Sequence, residues 1–360
     1  AGSEVALIEL INALPEELYN ITLVLLDSDN EYAYRLKKNV NIVQLTFNSS
    51  FAKSLVSMYA FPAKVLKKLS VNSFIAYYDF ISNCVTNVFE KTYDIAIDFY
   101  GYGSFVTAFL ATKIQAKKKA TWLHDEKPYW MKSVQKYLCE YDKIYGVSQA
   151  VVDAFCREYP HYKDKAAVFY NVIDIEEIKR KSEQDEIIPF KESFNIVTVG
   201  RLTEQKGYDI AIKAASILKK RKINFAWYAI GGGRDEKKLK KLVEKYCLEN
   251  QFVFLGRKKN PYPYMKHCDL YVQPSRHEGY VITLVEARAL CLPILSSDIP
   301  SAREQIQDGI NGYVAELSAE DLADKIEYLY NNPSQRKKTV EYLKEHPIDF
   351  STELLKLEII

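Results

Sequence analysis

Residues 194–221 read FNIVTVGRLTEQKGYDIAIKAASILKKR. Six largely apolar residues run into a polar turn closed by Gly207, and an amphipathic helix is expected from Tyr208 to Arg221. A strand apolar along its whole length is buried on both faces, which marks a parallel sheet covered by helices. The unit recurs downstream: FAWYAI (225–230) precedes a helix expected over Asp235–Glu249. FVFL (252–255), DLYVQ (269–273) and LPILSS (292–297) follow with helical stretches between them. Such alternation builds βαβ units, and ligands of these sheets bind beyond the carboxyl ends of the strands.

The first half repeats the pattern less tidily, with strands expected at ITLVLL (21–26), NIVQL (41–45), DIAIDF (94–99), KATWLH (119–124) and KIYGVS (143–148). The polar stretch DIEEIKRKSEQDEIIPF (174–190) reads as a linker. The expected plan is therefore α/β, two doubly wound, Rossmann-like domains facing a central cleft. Residues 1–174 form the first domain, 175–193 the linker, 194–346 the second domain and 347–360 a tail. The chain opens on AGSEVALIELINAL, a helix pattern with no strand before it, so the first strand of the usual sheet is missing from the reading.

A chain of 360 residues suits two cores, and 48% hydrophobic with 27% charged residues is the balance of a folded protein. The net charge of +2 lacks the basic excess of a nucleic-acid binder. Six scattered cysteines, without CxxC or zinc spacing, read as structural thiols in a reducing cytoplasm. No run approaches the roughly 20 apolar residues of a membrane span, and no secretory leader is read at the N-terminus.

In the second half, polar signals stand at successive strand ends. Arg201 and Lys206 lie in GRLTEQKG; Gly231, Gly232 and Gly233 follow FAWYAI; Gly256 and Arg257 follow FVFL; PSRHEGYVITLVEA follows DLYVQ. Two cations can neutralise a diphosphate. The turn Gly279-Tyr280-Val281 offers backbone N–H groups at a helix start, a setting that favours an anion. Glu286, read as buried within that helix, can accept from both hydroxyls of a ribose. The plainer alternative is that Glu278 caps the helix and Glu286 meets a neighbouring arginine. The order of these signals favours a nucleoside diphosphate, with no metal and no cofactor.

Taken together, GRLTEQKG, IGGG, FLGRKKNPYPYMKHCDLYVQPSRHEGYVITLVEA and DGINGYV resemble the donor-binding half of retaining glycosyltransferase family 4, of bacterial surface-polysaccharide type. The resemblance is strong over about residues 194–315. It implies the GT-B fold and transfer of a sugar from a nucleotide diphosphate sugar, a UDP-sugar being favoured, to a hydroxyl of a glycan or lipid-linked glycan. By the same resemblance, Glu278 stands beside the donor sugar hydroxyls, Glu286 on the ribose, and Arg201 and Lys206 on the diphosphate. His124, in TWLHDE, matches a histidine facing the transferred sugar, and Gly2 a loop touching the sugar phosphate. Gly231, Arg257, Gly279, Tyr280 and Val281 complete the donor site, although Tyr280 and Val281 stand where many members have Phe followed by Gly or Pro.

Two other readings compete. Asp27-Ser28-Asp29 after ITLVLL has the spacing of a metal-binding carboxylate pair, and also of an ordinary turn. The other is a non-catalytic partner subunit that keeps the nucleotide-sugar fold. Residues 51–70, FAKSLVSMYAFPAKVLKKLS, interleave lysines with large apolar residues and carry no acid. Such a segment suits an anionic membrane surface, giving a cytoplasmic protein peripheral at the inner face of the cell membrane.

Overall fold

The computed structural model describes residues 2–358 apart from 27–34, 38, 48, 51–53, 55–70, 86–88, 90 and 102, with backbone alone at 71–76 and 128–130. The Asp27-Ser28-Asp29 pair lies outside the described residues, as does the 51–70 segment except Ser54. The chain divides into two units, residues 1–173 with 350–360 and residues 174–349.

The second unit carries a six-stranded, all-parallel sheet. Its strands are β7 (Phe194–Val199), β8 (Phe225–Ile230), β9 (Phe252–Gly256), β10 (Leu270–Gln273), β11 (Ile294–Ser297) and β12 (Tyr313–Ala315), in the order β12-β11-β10-β7-β8-β9. Successive residues of one strand feed two cores. Ile196, Trp227 and Ala229 pack with helix α6 (Tyr208–Lys220), Leu239 and Val243 of α7 (Glu236–Lys245), and α11 (Ala319–Asn331). Val197, Ala226 and Tyr228 pack with α8 (Tyr262–Lys266), Leu284 and Ala287 of α9 (Ile282–Ala289), and Leu343 of α12 (Pro333–Glu345). A sheet covered on both faces has no use for polar alternation, so its strands are continuous apolar runs.

Helix α5 (Ile175–Ser182) stands in the stretch read as a linker. Asp174 caps it, accepting from Glu177 N at 2.8 Å, and Ile178 is buried. A short α10 (Pro300–Arg303) follows β11.

In the first unit the described residues hold a parallel pair, β1 (Thr22–Leu25) with β2 (Asn41–Gln44), and a four-stranded parallel sheet. The latter contains β3 (Tyr93–Asp98), β4 (Ala116–Leu123), β5 (Lys143–Gly146) and β6 (Ala166–Val168) in chain order. Helices α1 (Gly2–Ala13), α2 (Val71–Asn83), α3 (Phe105–Lys113) and α4 (Gln149–Glu158) accompany them. Phe99, Trp122, Tyr145 and Phe169 form an aromatic core with successive ring centroids 4.8–5.4 Å apart. Helix α13 (Ser351–Leu355), in the stretch read as a tail, joins this unit: buried Glu353 accepts from Tyr170 N at 3.0 Å, and Lys356 donates to Val168 O at 3.0 Å.

Candidate functional site

The strand order of the second unit reverses at β7. From there the chain winds outward to β8 and β9, then crosses back to β10, β11 and β12. The crevice of such a sheet opens between the strands flanking the reversal, here beyond the ends of β7 and β10. The loops at those ends are 200–207 and 274–281.

Backbone packing locks the two loops together. Gly207 has φ +67°, and a Cβ there would lie 1.8 Å from Pro274 O, so only glycine permits this approach. Arg276 N donates to Gln205 O at 2.8 Å, and Gln205 Nε2 donates to His277 O at 3.0 Å. The Arg276 guanidinium donates to both oxygens of Asp209 at 2.7 and 2.8 Å, and also to Glu204 O at 2.7 Å. That fork lowers the Asp209 pKa through the paired cation.

Inside the latch, Lys206 Nζ lies 2.5 Å from Glu278 Oε1, with side chains only 14% and 8% exposed. Glu278 Oε1 also accepts from Ser275 Oγ at 2.7 Å. A buried polar chain continues behind it: Gln273 Nε2 donates to Ser275 Oγ at 2.7 Å, and Gln273 Oε1 accepts from Tyr271 OH at 2.7 Å and Thr283 Oγ1 at 2.8 Å. Both contacts of Glu278 fall on Oε1. Its second oxygen makes no hydrogen bond among the described residues. A carboxylate oriented on one oxygen and open on the other suits a ligand hydroxyl.

Glu286 departs from its reading. It is half-buried rather than buried, and its Oε1 accepts from Tyr262 OH at 2.9 Å. Leu284, Val285 and Ala287 turn the apolar face of α9 inward, while Thr283 and Glu286, three residues apart, share its polar flank. The buried carboxylate of the motif is therefore Glu278, whose charge is met by Lys206.

The remaining donor-site residues spread over the same strand ends. Arg201 and Arg257 are exposed, and their side chains make no ion pair or hydrogen bond among the described residues. Gly231 N donates to Gly256 O at 2.9 Å, and Gly200 N to Ile230 O at 2.9 Å, which stacks the loops after β7, β8 and β9 in order. The Arg257 side chain passes along Gly232. Gly279 is buried and Tyr280 half-buried. Val281 buries its side chain in the core at the start of α9, which leaves only its backbone for a ligand. Its carbonyl accepts from Gln305 Nε2 at 3.3 Å.

Two expected residues belong to the first unit. Gly2 opens α1 and is exposed. His124 follows β4; its Nε2 lies 2.7 Å from Phe99 O and its ring 5.1 Å from that of Phe99. A carbonyl only accepts, so Nε2 carries the proton. Burial lowers the pKa to about 4, and the ring is neutral near pH 7.

Sequence reading missed Arg276, Gln273, Ser275 and Tyr262. Each works through a partner distant along the chain or through a loop, and only the alternation of polar residues in QPSRHE hinted at it. Among the described residues no group of three or more His, Cys, Asp or Glu could hold a metal ion. No helix among them is long and apolar enough to cross a membrane.

Residues 179–346 match the family model for glycosyl transferases group 1. An uncharacterized glycosyltransferase of Methanocaldococcus jannaschii is 33% identical over 172 residues, 47% of this chain and 40% of that protein. The N-acetylgalactosamine-N,N'-diacetylbacillosaminyl-diphospho-undecaprenol 4-alpha-N-acetylgalactosaminyltransferase of Campylobacter jejuni is 30% identical over 184 residues, 48% of this chain and 49% of that enzyme. The chain spans about half the length of the curated relatives it matches. The crystal structure of Anabaena HepE in complex with UDP aligns with a TM-score of 0.74 at 17% identity, covering 100% of this chain and 95% of that one. Likeness at that identity shows the fold, and the fold is the GT-B architecture expected from the sequence.

Proposed function

We propose that the chain is a retaining, metal-independent hexosyltransferase that moves a sugar from a UDP-sugar to a hydroxyl of a glycan or lipid-linked glycan. The observation that carries this reading is the buried Lys206–Glu278 pair at the reversal of the sheet, with Glu286 on the helix that follows. The group 1 match over the same unit supports it. The uridine nucleotide is supported by the UDP named for HepE, and the lipid-linked acceptor by the diphospho-undecaprenol named for the Campylobacter enzyme.

In this reading Arg201 and Lys206 meet the diphosphate, joined by backbone N–H groups near Gly279, Tyr280 and Val281 and by Arg257 and Gly231. Glu286 takes the ribose hydroxyls and shares its flank with Tyr262. Glu278 holds a hydroxyl of the transferred sugar through its second oxygen. The bond from the anomeric carbon to the diphosphate oxygen breaks, and the acceptor oxygen bonds to the same face of that carbon. The acceptor proton passes to the departing diphosphate. No protein nucleophile is required: the side chains position the reactants and stabilise charge. The family resemblance assigns His124, neutral and fixed in one tautomer, to the transferred sugar and Gly2 to the sugar phosphate. Residues 51–70 hold the protein at an anionic membrane surface.

The test is incubation with a panel of UDP-sugars without acceptor, followed by proton NMR of the released sugar. Slow hydrolysis that first yields the donor's own anomer is expected. Release of the opposite anomer, or no turnover of any nucleotide sugar even with glycan acceptors added, counts against the proposal.

A further inference from the structure

Gln273 ends β10 with no exposed surface. A buried amide is costly unless its groups are bonded, and this one is bonded at both ends. Its oxygen accepts from Tyr271 OH at 2.7 Å and Thr283 Oγ1 at 2.8 Å, and its nitrogen donates to Ser275 Oγ at 2.7 Å. Tyr271 and Ser275 are buried as completely. Ser297 Oγ donates to Ser275 O, so the backbone under this chain of side chains is held as well.

The direction of these bonds is forced, starting from Glu278. A carboxylate beside a lysine ammonium only accepts, so Ser275 commits its single hydroxyl proton to Glu278 Oε1. Ser275 then has only lone pairs to offer Gln273, whose nitrogen must face it. The amide oxygen is left facing Tyr271 and Thr283, and both hydroxyls donate to it. With the amide turned over, its oxygen would meet the Ser275 oxygen with no proton between them. Gln273 is thus the group that keeps the Ser275 proton on Glu278. Lys206 Nζ meets the same oxygen of Glu278, and the other oxygen receives no hydrogen bond among the described residues. Stability alone does not call for such a chain, because apolar side chains fill a core without desolvating polar groups. Thr283 lies in the first turn of α9, so the same amide ties the helix of Glu286 to the loop of Glu278.

We infer that Gln273 is a positioning residue of the transfer: through Ser275 it fixes Glu278 by one oxygen and leaves the other to a hydroxyl of the transferred sugar. The inference rests on the transferase reading for the word sugar. Since the free oxygen only accepts, the sugar group that meets it has to be a donor.

The test is Gln273→Glu, followed by the pH dependence of hydrolysis of UDP-glucose, UDP-galactose, UDP-N-acetylglucosamine and UDP-N-acetylgalactosamine, with UDP affinity measured by calorimetry at each pH. While protonated, the introduced carboxyl offers an O–H to Ser275 and an oxygen to Tyr271 and Thr283, as the amide does. Once ionised it only accepts, and the Ser275 proton is contested by two carboxylates. Burial holds such a group protonated above the ordinary carboxyl range. Relative to wild type, kcat/KM should therefore match at the acid end and fall about tenfold as pH rises, while UDP affinity stays within about twofold. Should this variant not melt cooperatively, Gln273→Met decides: kcat/KM about tenfold lower with UDP affinity within about twofold is expected. A ratio to wild type that does not change with pH, a loss that UDP affinity follows in step, or full activity of Gln273→Met overturns the inference alone. No turnover of any of the four donors by wild type overturns the transferase reading, and the inference falls with it.

Discussion

Replacing Lys206 by Met separates what the Lys206–Glu278 pair does for the fold from what it does for a ligand. The methionine keeps the length of the side chain and removes its charge. Glu278, 8% exposed, then stays buried with Ser275 as its remaining donor. Removing one partner of a buried ion pair costs about 3–5 kcal/mol, and the surviving Ser275 bond places this site near the low end. At about 2–4 °C per kcal/mol for a domain of this size, the second unit should melt about 6–12 °C lower. The double variant Lys206→Met/Glu278→Gln leaves no unpaired charge and should recover to within about 1 kcal/mol of wild type. Arg201→Ala supplies the contrast. Its side chain is exposed and unbonded, so stability should hold within about 0.5 kcal/mol. Its turnover should nonetheless fall about 10² to 10³-fold, the usual cost of losing a charge partner of a developing anion. Scanning calorimetry and urea titration of the three proteins measure the first effect, and UDP-sugar turnover the second. A Lys206→Met variant as stable as wild type would refute the reasoning, because the buried pair would then hold nothing in place.

Three further outcomes are expected. His124 is held neutral, with a pKa of about 4 against an ordinary value of 6.5, so below pH 6.5 the unfolded chain takes up a proton that the folded chain refuses. Stability should therefore fall by about 3 kcal/mol between pH 6.5 and 4 on this account, and His124→Gln should flatten that part of the urea-denaturation profile; identical slopes would contradict it. Chelation by EDTA should leave sugar transfer nearly unchanged, and Asp27→Asn should be close to silent, whereas rescue of a chelated enzyme by Mn²⁺ would favour the metal reading. Lysines near an anionic surface contribute about 1 kcal/mol each, so exchanging Lys64, Lys67 and Lys68 for Gln should release the protein from anionic liposomes. Wild type that fails to sediment with them at low salt would remove the membrane proposal.

The parallel sheet of the second unit was legible because burial on both faces forces continuous apolar strands. FAWYAI is buried at every position, and FNIVTV at all but its last. The paired glutamates were legible as a motif, but which of them is buried was not. Leu284, Val285 and Ala287 surround Glu286 in the chain, yet a turn of 3.6 residues carries it to the flank of α9, while Glu278, in a polar turn, goes inside. Helix α5 was hidden by its charge: two acidic and three basic residues outweighed Ile178, its buried apolar residue, and the Asp174 cap was read as linker chemistry. The latch was out of reach for another reason. Arg276 and Asp209 lie 67 residues apart, and the Gln273–Ser275–Glu278 chain exists only once two loops meet at the reversal of the sheet. Local pattern reports elements; it does not report which strand ends become neighbours.

On the proposed reading, the crevice beyond β7 and β10 binds a uridine diphosphate with Glu286 on the ribose. Calorimetric titration of UDP into wild type and Glu286→Ala tests it most directly. Wild type should show saturable binding at one site. The variant, with an unchanged melting profile, should bind about tenfold or more weakly, matching the roughly 1.5–3 kcal/mol of a lost charge-assisted hydrogen bond. Equal affinity in the two proteins, or no saturable UDP binding by wild type, would contradict the account.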